Sequence, residues 1–277
     1  MRKTVCFAFL LAVCFWATNA FAAQGQWGGF IYLIPKTGAQ IPSDKKEDIL
    51  LTLKNDAAGF SNEFDPGKGT LETIHYLKGR GYTLNGKPVT TGVASALIRV
   101  ESLDRARVDA FHKSVVSALK DYFAVEYRIA VTGQLSYTDA MTLARLKEGA
   151  PKRGNAVEQP NAVVFPIAKT PQWWELPTDK RTEYFHKNPE AFGKDHSGHN
   201  EVGFVYIKKI FRKLYHSRFI DPQQDFMTYF EFSDDDKPAF ESLLQGLRDE
   251  KINPEWKYVV EKPLFTGKRV KSIDEIL

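Results

Sequence analysis

The sequence predicts an α+β protein, with duplicated ferredoxin-like units forming a dimeric α+β barrel with helices outside. Three observations carry this prediction. Both halves of the chain read in the order β-α-β-β-α-β. Between them lies a polar stretch, 138–160, rich in Lys, Gly, Pro and Asn, which reads as a connector. The second helices of the two halves echo each other, AFHKSVVSAL at 110–119 against AFESLLQGL at 239–247.

The chain has 277 residues, of which 1–22 read as a secretory signal peptide. Arg2 and Lys3 precede an apolar run that ends in the small-residue pattern Ala20-Phe21-Ala22. The expected location is therefore the periplasm. The net charge of +4 drops to +2 once Arg2 and Lys3 are removed, and nothing in this balance suggests nucleic acid. Both cysteines, Cys6 and Cys14, lie in the leader. The mature chain is then without disulfides, zinc–thiolate sites, iron–sulfur clusters and thiol catalysis. The 20 Phe and 11 Tyr of the full chain supply the apolar surface for a core.

The first half, 23–137, begins with the apolar strand GGFIYLIP, 28–35, followed by a Lys/Asp-rich helix around 43–55. LETIHYLKG (71–79) and ASALIRVES (94–102) read as strands flanking a Gly/Asn turn region, GRGYTLNGKP. Val108, Phe111, Val115, Ala118 and Leu119 then recur at helical spacing, and VEYRIAVTG closes the half as a strand. The second half, 161–277, opens with the strand NAVVFPIA, and PQWWELPTDKRTEYFHK starts a helix. A polar loop through NPEAFGKDHSGHN leads to strands at about 202–215 and 226–232. The helix KPAFESLLQGL and a last strand, EWKYVVEKP, complete it.

On the strand read through YIKKIFRKLYHS (206–217), Arg212 shares its face with Phe204, Tyr206, Ile210 and Leu214, with Lys208 the other exception, while the opposite face is also largely apolar. A guanidinium buried there needs an anion or hydrogen-bond acceptors. Two readings are open: a structural ion pair, or a fixed cation that receives an anionic ligand. Four of the six histidines, His186, His196, His199 and His216, fall close by. The His-x-x-His pair at 196 and 199 lacks the acidic pattern of zinc hydrolases. A haem needs only one protein ligand and an apolar slot.

FRKLYHS (211–217), followed by DFMTYFE (225–231) and preceded by PQWWEL, resembles the chlorite dismutase family. LIRVESLDRARVDAF and VTGQLSY look like matching pieces of the first half. The resemblance implies a haem b protein, with 161–277 as the haem-binding half. It implies a cyclic homo-oligomer, with a pentamer favoured, that converts chlorite to chloride and dioxygen. In the family pattern the proximal histidine stands thirteen residues before the arginine, which points to His199 as the iron ligand and Arg212 as the distal catalytic residue. The resemblance further assigns Thr228 and Phe230 to the distal pocket. It places Trp173 and Tyr137 near the haem edge and propionates, and Glu250 as the acid that polarises the histidine.

Ligand and distal arginine should lie roughly 10 Å apart, whereas thirteen extended residues span ~43 Å, so Gly198-His199-Asn200 belongs to a bend. The chain is longer than the pattern between Trp174 and His199, and the extra length contains His186 and His196, each an alternative ligand. Arg218 replaces a residue of another type after LYHS and adds a charge near the rim. Rival readings are an exported haem-binding protein or peroxidase-like relative without chlorite turnover, and a coproporphyrin-handling relative. The leader and Arg212 argue against the last.

Overall fold

The computed structural model of the chain describes residues 25–62, 71–133 and 157–277, with 141 and 148 standing alone between them. Residues 1–22, expected to be a leader, and Tyr137 lie outside the described residues. The first half contains β1 (Trp27–Pro35), α1 (Ser43–Ala57), β2 (Thr73–Leu84), β3 (Lys87–Pro88), β4 (Ala96–Ser102), α2 (Arg105–Leu119) and β5 (Phe123–Val131). The second runs β6 (Asn161–Lys169), the short helices α3 (Pro171–Glu175), α4 (Thr178–Glu183), α5 (Pro189–Phe192) and α6 (His199–Phe204), then β7 (Ile210–His216) and β8 (Phe226–Phe232). It ends with α7 (Lys237–Arg248), a 3-10 turn (Pro254–Tyr258), β9 (Val259–Glu261) and β10 (Leu264–Val270).

Every strand pairing among these elements is antiparallel, and the order is β10-β2-β4-β1-β5-β7-β8-β6-β9. Since β10 also pairs with β6, the sheet closes on itself as a barrel, which removes most of its exposed edges. The two halves repeat one strand order, β5-β1-β4-β2 and β10-β6-β8-β7, and join edge to edge at β2–β10 and β5–β7. The second joint is a single pair, Val131 with His216, so β5 is paired along most of its length on one side only.

Side-chain alternation sorts the strands into an inner and an outer face. Phe30, Leu97, Tyr215, Met227, Tyr229 and Phe265 fill the barrel. The outer face of the first half packs under α1 and α2 through Ile31, Leu53, Phe111 and Val115. That of the second half packs under α7 through Phe165, Phe230, Phe240 and Leu243. Toward one end the barrel interior becomes ionic. Arg99 Nη2 lies 2.6 Å from Glu101 Oε2, Lys213 Nζ reaches Glu101 Oε1 at 2.5 Å, and Glu231 faces both His75 (3.5 Å) and Arg269 (3.3 Å).

Four expectations are corrected. GRGYTL is strand, not turn: at Gly79 a Cβ would lie 2.7 Å from the Ser95 carbonyl oxygen, so the glycine serves close strand approach, and the turn comes only at Asn85-Gly86. The helix after Pro171 breaks at Leu176-Pro177, because proline restricts the residue before it to extended backbone. Residues 199–204 are helical, so the strand bearing Arg212 begins at Ile210, and Phe204 and Tyr206 share no strand face with it. EWKYVVEKP divides into a 3-10 turn and the short β9, and the barrel-closing strand is LFTGKRV.

Candidate functional site

The site lies on the outer face of β7 and β8, beneath α6. Arg212 stands opposite Phe230 in the ladder, and Leu214 opposite Thr228, so these four share one face. Thr228 and Phe230 are buried, and the Phe230 ring packs 5.3 Å from that of Phe240 on α7. Arg212 is accessible to solvent. It is nonetheless enclosed closely enough that loss of hydration lowers its pKa, a shift opposed by the Glu255 carboxylate. Its guanidinium lies in the cleft between β7 and α6, where a Cβ on Gly203 would come within 3.5 Å of Nη1.

His199 is placed by backbone, not by its own packing. Gly198 has φ +86° and ψ 157°, a combination open essentially to glycine alone, and a Cβ there would lie 2.8 Å from the His186 carbonyl carbon. The tight passage lets His199 N donate to Tyr184 O (3.1 Å) and Asn200 N to Phe185 O (3.0 Å), while Gly198 N donates to Ile252 O (3.2 Å). The imidazole starts α6 with one edge against Phe185, ring centroids 5.7 Å apart.

Its two nitrogens face different partners. Nδ1 lies 2.8 Å from Glu255 Oε2, and Nε2 lies 3.3 Å from Arg212 Nη2. A guanidinium can only donate, so the contact makes Nε2 the acceptor and leaves the proton on Nδ1, facing the carboxylate. Glu255 in turn accepts from Lys169 Nζ, whose ammonium rests 4.4 Å from the centre of the Trp173 ring. Burial would raise the Glu255 pKa, but Lys169 and His199 outweigh it and hold the carboxyl at about 2. Trp173, Lys169, Glu255, His199 and Arg212 therefore form one chain of contacts. An imidazole fixed on Nδ1 with its lone pair on Nε2 can offer a metal one ligand. Among the described residues, no group of three or more His, Cys, Asp or Glu side chains could hold a metal ion.

Of the residues singled out in the sequence, the structure brings together His199, Arg212, Thr228 and Phe230. Trp173 lies one layer behind, its ring 6.0 Å from that of Phe185. Glu250 is a correction: it is exposed, and the carboxylate against His199 belongs to Glu255, which the turn opened by Pro254 carries inward. The bend expected at Gly198-His199-Asn200 is present, and Arg212 Nη2 lies 3.3 Å from the imidazole. His196 is buried and accepts from Asn188 N (2.9 Å), holding the α5 loop in place, whereas His186 lends its backbone to the Gly198 passage. Arg218 lies 3.3 Å from the ring centre of Trp174. Lys169 was missed in the sequence because it ends an apolar strand, where a lysine reads as a solvated terminus.

A sequence model of the family described as chlorite dismutase matches residues 100–270. Over 166 residues the chain is 28% identical to the chlorite dismutase of Ideonella dechloratans, an alignment covering 59% of this chain and 52% of that protein. The chain thus spans about half the length of the curated relative it matches. A solved variant of chlorite dismutase from Candidatus Nitrospira defluvii is similar with a TM-score of 0.66 at 20% identity, covering 92% of this chain and 95% of that one. The structure of chlorite dismutase from the same organism in complex with imidazole gives 0.64 at 20% identity, with the same coverage. At these identities the structural likeness shows the shared fold, a closed antiparallel barrel with outer helices.

Proposed function

Since the chain belongs to the chlorite dismutase family, we propose that it is a haem b oxidoreductase that decomposes chlorite to chloride and dioxygen. The observation carrying this reading is the pairing of His199 and Arg212 on one cleft, the imidazole backed by Glu255 and the guanidinium unmatched by a carboxylate of its own at salt-bridge distance among the described residues. The donor set fits a haem: one imidazole whose lone pair is on Nε2, set against aromatic side chains. Bound there, the haem would supply the oxygen transfer and O–O bond formation of the reaction. Arg212 would hold its charge beside the bound group, available to a small anion, since no carboxylate lies at salt-bridge distance from it among the described residues.

The work of the chain's own residues follows. His199 anchors, and Glu255 keeps the proton on Nδ1 so that Nε2 stays a donor of electrons. Arg212 draws a small anion into the cleft and orients it by charge-assisted hydrogen bonds. Phe230 and Leu214 limit water beside it, which keeps reactive oxychlorine species from escaping. The repeated strand order supports a duplication of ferredoxin-like units. Export to the periplasm and assembly as a cyclic homo-oligomer, pentamer favoured, belong to the same reading.

The test is a Soret band in protein expressed with ample iron and porphyrin precursor, then oxygen release on adding chlorite. Arg212→Ala should keep the band and lose oxygen release on the order of 100-fold, while His199→Ala should emerge colourless. Unchanged oxygen release in Arg212→Ala removes the role given to the arginine. A Soret band with no oxygen release in the parent would favour the haem-binding protein without turnover.

A further inference from the structure

The outer face that carries Arg212 and Thr228 does not end at Leu214. Two residues on, His216 pairs with Phe226 in the same ladder, their rings 5.3 Å apart. Phe226 in turn stacks on Trp174 of α3, with ring centroids 6.1 Å apart and planes at 21°. Four residues of strand separate Arg212 from His216, a run of ~13 Å. The face therefore has His199 and Arg212 at one end and the Trp174 indole at the other.

The loop after β7 brings Arg218 to that indole. Its guanidinium carbon lies 3.3 Å from the centre of the Trp174 ring and 4.8 Å from that of Phe219. Phe219 sits in the left-handed region at φ +67°, a costly backbone for an aromatic residue. Burial does not offset the cost, since the residue is 93% exposed. The turn beneath enforces it: Ile220 N and Asp221 N both donate to Ser217 O at 2.8 Å, and Arg218 N donates to Asp225 O at 3.1 Å. What this conformation does achieve is a second ring against the guanidinium.

Among the described residues the Arg218 side chain has neither a carboxylate at salt-bridge distance nor a hydrogen-bond acceptor. Asp225 is close in the chain, but its Oδ2 accepts from Lys169 N (2.6 Å) and from the Trp174 indole N–H (3.3 Å). Arg181 of α4 adds a second guanidinium 5.4 Å from the Trp174 centre. A guanidinium fixed on aromatic faces presents its N–H edge in a plane that suits a carboxylate. Resting on the haem reading above, we propose that Arg218 receives a propionate carboxylate of the haem, at the end of the face away from His199. Haem b carries both carboxylates along one edge, so their receptor belongs beyond the iron ligand on the same face. Leu214, Thr228, His216 and Phe226 then offer the surface between the two ends.

Soret titration of the haem-free full chain with haemin and with haemin dimethyl ester tests the assignment, because the ester keeps iron and ring but lacks both carboxylate charges. The parent should bind haemin more tightly than the ester. Arg218→Gln should weaken haemin about tenfold, the scale of one charge-assisted hydrogen bond, and leave the ester unchanged. The half-exposed Arg218 side chain makes no hydrogen bond among the described residues, so the variant should melt at the parental temperature. If it melts lower, Phe219→Gly, which suits the positive φ, carries the same comparison with a smaller loss of haemin. Equal binding of haemin and ester by the parent, or equal loss of both in the variants, overturns the proposal while leaving His199 as the ligand. A variant that keeps its haemin affinity and changes the sedimentation of the protein assigns the arginine to a subunit contact, and overturns it too. If neither porphyrin gives a Soret band, the haem reading itself fails, and this inference with it.

Discussion

At the scale of single residues, Glu255 has the largest consequences. It is buried between two cationic or proton-bearing groups, and removing it strands the Lys169 ammonium, itself 8% exposed. Breaking a buried pair in this way costs about 3–5 kcal/mol, because an uncompensated charge remains. Glu255→Ala should therefore lose roughly 3 kcal/mol in urea unfolding, and the double variant with Lys169→Met should recover a large part of it. A single variant within 1 kcal/mol of the parent would mean that water repairs the site, at the scale of an exposed pair. Histidine spacing and RKLYHS made His199 and Arg212 legible in the sequence. Glu255 was not, since its partner lies 56 positions away in the chain and only the fold brings them together.

Among the elements, the short helices α3 to α6 differ most from what periodicity suggests. Each has four to six residues, too few for a hydrophobic face to repeat, so no pattern of spacing announces them. They are held by backbone bonds across the Gly198 passage and by the aromatic cluster of Trp173, Tyr184 and Phe185. Gly198→Ala introduces a strained backbone and a contact at 2.8 Å, and should destabilise by about 2–3 kcal/mol. Because Gly198 precedes the histidine directly, the same variant should weaken haem retention, read as a reduced Soret absorbance per protein. A variant with parental melting temperature and absorbance would show that the passage relaxes without cost. The long helices α1, α2 and α7, by contrast, were all legible: each runs for at least three turns, and α2 and α7 repeat an apolar face at helical spacing.

For the molecule as a whole, the barrel is tied together by buried carboxylates as well as by its apolar core. Burial would raise Glu101, but Arg99 and Lys213 hold it at about 2, as Lys169 and His199 hold Glu255. Against an ordinary value of 4.5, such a depressed pKa contributes stability that is complete above about pH 4.5 and is lost as pH falls toward 2. Each group is worth on the order of 3 kcal/mol. Denaturant midpoints should stay level from pH 7 to about 5 and then fall steeply; a midpoint independent of pH down to 3 would count against the network. The residue pattern by itself determined the α+β class and the repeated order of elements, because these depend on local periodicity; the motif around RKLYHS, contiguous in the chain, pointed to His199 and Arg212 as neighbours. Tertiary structure alone decided that β10 closes the barrel, that Glu255 and not Glu250 backs His199, and that β5 meets β7 at a single pair. Closure, ion pairing and cavities are set by which distant segments meet, and chain connectivity leaves that choice to the packing of the whole.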